Sequence, residues 1–278
     1  EPSVKQESHC KQIAMNKYIK LSFLLAAALL AGACSSSKKH SLRIVTYNVG
    51  VFHKADTNTI RMVADMMNEL GAEVLSLNEL DSCTVRTGNE YQLDSLAREL
   101  GGWNYRYASS IDHDGGRYGI GIASNPELGI LDFHKVFLPR ENSREQRVLA
   151  VAEFNDFIFA STHLDHTSKE DQLNQAIAAT SWIKEHYAKC GKPVFLCGDM
   201  NAAPDSETMN EYRKDWTILS AQDYTISAAR PHLCIDYIML LNGTAKCNVI
   251  ETRVPTEFKT GDVTIASDHL PVMAVIEW

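Results

Sequence analysis

Several things are scarce in this sequence, and each scarcity excludes a class. Only seven of the 278 residues are cysteine, and no two stand at the close spacing of a zinc or redox pair. A zinc ribbon and a disulfide framework are therefore excluded. Beyond Cys34 the cysteines are Cys83, Cys190, Cys197, Cys234 and Cys247, an odd number that reads mostly as small buried apolar residues; a Cys197–Cys234 disulfide is the one pairing considered. No stretch rich in proline, glycine or serine divides the chain after His40, and no internal repeat is visible. One α/β domain of about 240 residues is expected there. A basic surplus is also missing: 27 Lys and Arg against 35 Asp and Glu give a net charge of −8. Such a chain lacks the electrostatic footprint of a nucleic-acid binder.

The longest apolar run, Leu21 to Ala31, is too short to span a bilayer comfortably. It follows the basic start Met15-Asn-Lys-Tyr-Ile-Lys20 and precedes Gly32-Ala33-Cys34 and Ser35-Ser36-Ser37-Lys38-Lys39. That order resembles a bacterial lipoprotein signal, cleaved before Cys34, whose thiol would carry the lipid. The expected organisation is an upstream extension over 1–14, a signal peptide over 15–33, a lipidated tether over 34–40 and a catalytic domain over 41–278. The expected location is the bacterial cell envelope, lipid-anchored and facing the periplasm or the surface. Cleavage would remove four lysines and two glutamates, leaving a net charge of about −10.

In the body of the chain, apolar periodicity predicts strands over Leu42–Val49, Val74–Leu80, Tyr118–Ala123, Arg147–Phe154, Phe157–Thr162, Pro193–Cys197, Ile235–Leu241 and Val272–Trp278. Helical spacing links Ile60, Val63, Ala64 and Met67, ending near Gly71, and then Leu93, Leu96, Ala97 and Leu100. A third helix is capped by Ser168 with Asp171 and carries Leu173, Ala176, Ile177 and Thr180 on one face. Strands alternate with helices early and form hairpins in the middle, which implies mixed sheets with helices outside.

Polar residues gather at the ends of these strands: Asn48, Asn78-Glu79-Leu80-Asp81, Arg117-Tyr118, His163-Leu164-Asp165, Gly198-Asp199-Met200-Asn201, Asp236-Tyr237 and Ser267-Asp268-His269. Polar groups brought to the ends of a rigid sheet form a site. Phosphoester hydrolysis needs charge neutralisation, an activated water and help for the leaving oxygen. Mg²⁺ prefers a few carboxylate and amide oxygens. Glu79 fits such a ligand, with an amide oxygen of Asn48 from a neighbouring strand end and Asp268 as a further candidate. Asp199 and Asn201 lie two residues apart, on one face of an extended segment, where they could orient a water and meet developing charge. His269 offers an imidazole that a carboxylate would hold in one tautomer. Taken singly, each fits a turn acid or a surface histidine; the ordered set points to chemistry.

The set resembles the endonuclease/exonuclease/phosphatase superfamily of metal-dependent phosphoesterases, the group of deoxyribonuclease I and exonuclease III. The resemblance runs from Leu42 to Trp278, with Ser-Asp-His and Gly-Asp-x-Asn its most specific pieces. It implies a four-layer α/β sandwich, two packed mixed sheets flanked by helices, and Mg²⁺ or Mn²⁺ as cofactor. It implies Glu79 as principal metal ligand with Asn48 beside it, Asp199 as the group that orients or deprotonates water, and Asn201 on the phosphate. It further implies Asp236 or Asp268 as partner of His269, His163 on the transition-state charge, and Tyr118 at the phosphate or leaving group, with Asp165 and Arg117 lining the site. Asn78 stands where many relatives carry Gln. Most of the other histidines (His53, His113, His134, His166, His186, His232) read as solvated surface. The implied activity is metal-assisted attack of water on a phosphodiester or phosphomonoester of a small, lipid or nucleotide substrate, by a monomer. The alternatives are a nuclease on DNA or RNA, which the acidic charge disfavours, and a non-catalytic binding lipoprotein, which the intact set of site residues argues against.

Overall fold

The first strand shows why this chain builds layers. In β1 (Ser41–Asn48), Leu42 and Ile44 face one apolar cluster while Val45 and Tyr47 face another. A strand buried on both faces loses the usual apolar–polar alternation and must sit between two layers. The computed structural model describes residues 39–53 and 57–278; the expected signal peptide, Cys34 and the tether up to residue 38 lie outside the described residues. His40–Trp278 forms one compact unit, and none of its helices is long and apolar enough to cross a membrane.

The remaining elements are α1 (Ile60–Leu70), β2 (Val74–Ser82), α2 (Gln92–Glu99), β3 (Asn104–His113), β4 (Gly116–Ser124), β5 (Asp132–Phe137), β6 (Val148–Glu153), β7 (Ile158–His163), α3 (Lys169–Tyr187), β8 (Val194–Asp199), α4 (Glu207–Asp215), β9 (Trp216–Ile218), β10 (Asp236–Leu241), β11 (Asn248–Arg253), α5 (Val263–Ala266) and β12 (Val272–Glu277). They form two six-stranded sheets, ordered β11-β12-β1-β2-β4-β3 and β5-β6-β7-β8-β10-β9. Their inner faces share one core, where Ile44, Ile122 and Ile276 meet Phe159, Phe195 and Ile238. The outer face of the first sheet is covered by α1 and α2 through Val63, Met67 and Leu96. That of the second is covered by α3 and α4 through Ala176, Ile183 and Tyr212. This is the expected four-layer sandwich.

Two strand pairs are parallel, β1 with β2 and β7 with β8, and each is connected through a helix, α1 or α3. Both pairs end on the same side of the sandwich. Ser168 caps α3 by accepting from the Asp171 amide. The buried face of α3 differs from the expected one: Gln172, Gln175, Ala176, Ala179 and Ile183 are buried, and Ile177 is 41% exposed. The two glutamines explain the rotation. Gln172 donates to the carbonyls of Asp165 and Asn201, both at 2.8 Å, and Gln175 accepts from the Asp165 amide at 2.9 Å. Satisfying those loop groups outweighs burying one more isoleucine. Cys197 and Cys234 are both free thiols, and Cys83 is exposed rather than buried.

Candidate active site

Register brings the site together before any side chain is considered. Asn48 pairs with Asn78 across β1 and β2, His163 with Asp199 across β7 and β8, and Asp236 with Asp199 across β10 and β8. The two sheets are joined here by Asn78, which donates to the Thr162 carbonyl at 3.1 Å and accepts from the Asp199 amide at 2.9 Å. Gly198 allows the close approach. Its φ is +139°, and a Cβ there would lie 1.9 Å from the Thr162 oxygen, a position no other residue could fill.

Two site residues hold uncommon backbone conformations. Glu79 has φ +56° and Asn201 has φ +49°, a region that costs non-glycine residues about 1–3 kcal/mol. Glu79 lies where the β2–β4 register slips between Leu77 and Leu80. The one extra residue of this bulge turns Glu79 out of strand alternation toward the cleft, while Leu77 and Leu80 both stay buried.

At the centre, Asp199 Oδ2 lies 3.5 Å from His163 Nε2 and 3.6 Å from His269 Nε2, and accepts from Asn48 Nδ2 at 3.1 Å. Asp199 Oδ1 accepts from the Asn201 amide at 2.8 Å. The partner of His269 is Asp236, whose Oδ2 meets Nδ1 at 2.9 Å; Asp268 lines the cleft instead. Ser267 ties this loop to β1 by donating to the Asn48 carbonyl at 2.7 Å.

The two histidines are held in opposite protonation states. For His269, burial alone would lower the pKa, but Asp236 and Asp199 outweigh it and push the ring up to about 10. His163 is driven well below the usual histidine range by burial and by the charges of Arg147 and His269. Arg147 Nη1 lies 3.3 Å from His163 Nδ1, and a guanidinium can only donate. His163 Nδ1 must therefore accept, which leaves the proton on Nε2, facing Asp199. Burial and the neighbouring Asp236 charge push the Asp199 carboxyl up to about 7.

The cleft above these groups encloses about 290 Å³ and is also lined by Glu79, Tyr118, Glu145, Arg147, His166 and Asn201. Tyr118 stays a protonated donor, because burial and the Glu79 charge raise its pKa. Three residues here escaped the sequence reading. Arg147 is only 3% exposed and also lies 3.3 Å from His166 Nδ1; the available signal was a charged residue opening an apolar strand. His166 lines the cleft while remaining solvent-exposed, and Glu145 pairs with Arg147 at 3.4 Å. Two expected lining residues lie elsewhere. Asp165 accepts from the amides of Thr167 and Ser168 and from the Thr167 hydroxyl, so it shapes the turn into α3. Arg117 is 64% exposed beside Asp112.

The donor set can be tested for a divalent cation. Glu79 receives one hydrogen bond, from Asn48 Nδ2 at 3.0 Å to Oε1, and its carboxylate lines the cleft with Asp199, Asp268 and Glu145. An oxygen-rich, carboxylate-bearing set of this kind fits Mg²⁺ or Mn²⁺. The Asn48 amide points its nitrogen at the carboxylates of Glu79 and Asp199. Its oxygen accepts from the Gly50 amide at 3.1 Å, and flipping the amide would turn that oxygen onto two carboxylates. Asn48 therefore positions Glu79. Asp199, Asp236 and His269 also place ligand atoms within 4.8 Å of one another. A cation there would have to displace the His269 proton that Asp236 binds, so the Glu79 side fits a metal better.

A family model described as endonuclease/exonuclease/phosphatase family matches residues 45–269. Among solved structures, an endonuclease/exonuclease/phosphatase family protein from Bacteroides thetaiotaomicron superposes with a TM-score of 0.71 at 17% identity, over 87% of this chain and 99% of that one. A mannosyl-6-phosphatase from the same species gives 0.71 at 17% identity, over 84% and 99%. A 2′,3′-cyclic phosphatase gives 0.69 at 13% identity, over 87% and 96%. Identities this low speak for the fold alone. No curated protein matches the sequence.

Proposed function

The chain belongs to the endonuclease/exonuclease/phosphatase family, whose members hydrolyse phosphoester bonds, and from that premise we propose a metal-dependent phosphoesterase acting on a small substrate. The observation that carries the proposal is the placing of Asp199 between a neutral and a charged imidazole. A carboxylate whose pKa is raised toward neutrality is a fitting general base for a water. His269, held charged by Asp236, donates to a phosphate oxygen and stabilises the charge that develops there. His163 donates from Nε2 as a neutral group, and Arg147 behind it adds fixed positive charge. Tyr118 supplies a further proton donor on the leaving-group side. A divalent cation held by Glu79, with Asp268 nearby, would supply the charge neutralisation on the phosphate that these residues do not.

A small substrate is supported by the size of the cleft and by the acidic net charge, which repels polyanions at long range. The test is a panel of p-nitrophenyl phosphate, bis-p-nitrophenyl phosphate, plasmid DNA and RNA, each with Mg²⁺, Mn²⁺ or EDTA. Hydrolysis of one of the nitrophenyl esters, abolished by EDTA and restored by either cation, is expected. Undiminished activity in EDTA, or hydrolysis confined to nucleic acid, contradicts the reading.

A further inference from the structure

Beside the catalytic cleft lies a second recess of about 220 Å³, which shares Glu79, Tyr118 and Glu145 with it and so opens into it. Its remaining wall includes Arg86, His53 and His113. We propose that this recess seats the leaving group of the substrate, that the leaving group is a polyhydroxylated alcohol (a sugar or polyol of about one ring), and that Arg86 determines specificity for it. The inference rests on the phosphoesterase reading above.

Arg86 is built into place rather than merely present. Its Nε and Nη2 donate to Asp81 Oδ2 and Oδ1 at 2.6 and 2.7 Å, and Asp81 is fully buried. The Thr84 hydroxyl also donates to Asp81, at 2.6 Å. The guanidinium lies 5.5 Å from the centre of the Tyr118 ring, within cation–π reach. The side chain is nevertheless 39% exposed, and no described residue accepts a hydrogen bond from Nη1. A rigid fork with an unused donor pair, facing a recess beside a reaction centre, is preorganised for a ligand.

The chemistry of the wall selects the ligand. The Arg86 charge is already compensated by Asp81, Glu145 pairs with Arg147, and Glu79 is the residue proposed to hold the cation. The recess thus carries no positive surplus for a second phosphate. The Tyr118 ring is flanked by Arg86 and, at 6.5 Å, by His113, which leaves hydrogen bonding rather than stacking as its means of recognition. The fixed Arg86 donors, with the His53 and His113 imidazoles and carboxylate oxygens on the same wall, match groups that both donate and accept at several points of one small body. Hydroxyl groups on a ring or chain do that, and a recess below the size of a typical drug site limits the body to about one ring.

The test compares full-length protein with Mg²⁺ on p-nitrophenyl phosphate, AMP, hexose 6-phosphates and inositol 1-phosphate. The wild type is expected to show its highest kcat/KM on a sugar or polyol ester. Arg86→Lys keeps a charge for Asp81 but loses the fork. It should lose roughly 10- to 100-fold in kcat/KM on those esters, mainly through KM, as for one charged hydrogen bond. Turnover of the aryl ester should stay within about twofold. If Arg86→Lys melts early, His113→Ala, which leaves the Asp81 pair intact, must show the same selective loss. Equal losses on aryl and polyol esters, or a wild-type preference for AMP, overturn the inference alone. An enzyme inactive on every ester overturns the phosphoesterase reading and this one with it.

Discussion

Asp199 is a carboxylate with four polar neighbours and only 1% exposure, and its environment dictates how it behaves. Burial and Asp236 disfavour its ionised form, while His269 and Asn48 favour it. Folding therefore raises the proton affinity of both Asp199 and His269, so the folded chain keeps protons that the unfolded chain releases. Stability from these groups is present at low pH and is lost as pH rises, from 3.8 through about 7 for Asp199 and from 6.5 through about 10 for His269. In metal-free buffer, the unfolding free energy from urea titrations should fall between pH 6.5 and about 10. His269→Gln should flatten that fall, and an unchanged slope in the variant would show that His269 is not the group held charged. The identities of Asp199, Asn201, Asp268 and His269 were legible as residue types in a recognisable order. The Asp236 partnership was not, because two aspartates were available and only the β8–β10 register decides between them. Arg147 was illegible for a different reason: an arginine at a strand end looks like any solvated cation until burial is known.

At the level of elements, the strands that position the site were the ones the apolar pattern showed, with ends moved by a residue or two. Those it did not show, β3, β5 and β11, lie at or next to sheet edges, and β5 and β11 are largely exposed on both faces. The short β9 and the α4 helix carried too little apolar periodicity to be read. The bulge at Glu79 was equally hidden, since period-two reasoning assumes an unbroken ladder. Asn78, which stands where many relatives carry Gln, is one of the polar links between the two sheets, beside Asn48 to Asp199 and Ser76 to Ser161. Asn78→Ala should leave the Thr162 carbonyl and the Asp199 amide buried without partners. The expected cost is about 2–6 kcal/mol, from about 1–3 kcal/mol for each of the two unsatisfied groups. Chemical denaturation measures it, and a loss under about 0.5 kcal/mol, the scale of an ordinary surface substitution, would mean Asn78 contributes little to the joint.

For the whole molecule, two sheets contribute halves of one centre. Asn48, Glu79 and His269 come from the first sheet and the loop before its β12; His163, Asp199 and Asp236 come from the second. Neither half holds both the carboxylate proposed as base for the water and the residue proposed to hold the metal, so on this account activity belongs to the packed sandwich. The most direct measurement is kcat and melting temperature for Asp199→Asn, His269→Ala and the double variant, on whichever nitrophenyl ester the wild type hydrolyses. If both residues act on one phosphoryl centre, each single change should lower kcat by roughly 10²–10⁴, and the double should fall little further than the worse single. The melting temperatures should move far less than turnover does. Near-wild-type turnover in either single variant would remove that residue from the chemistry, and in both it would contradict the account of this cleft as the active site.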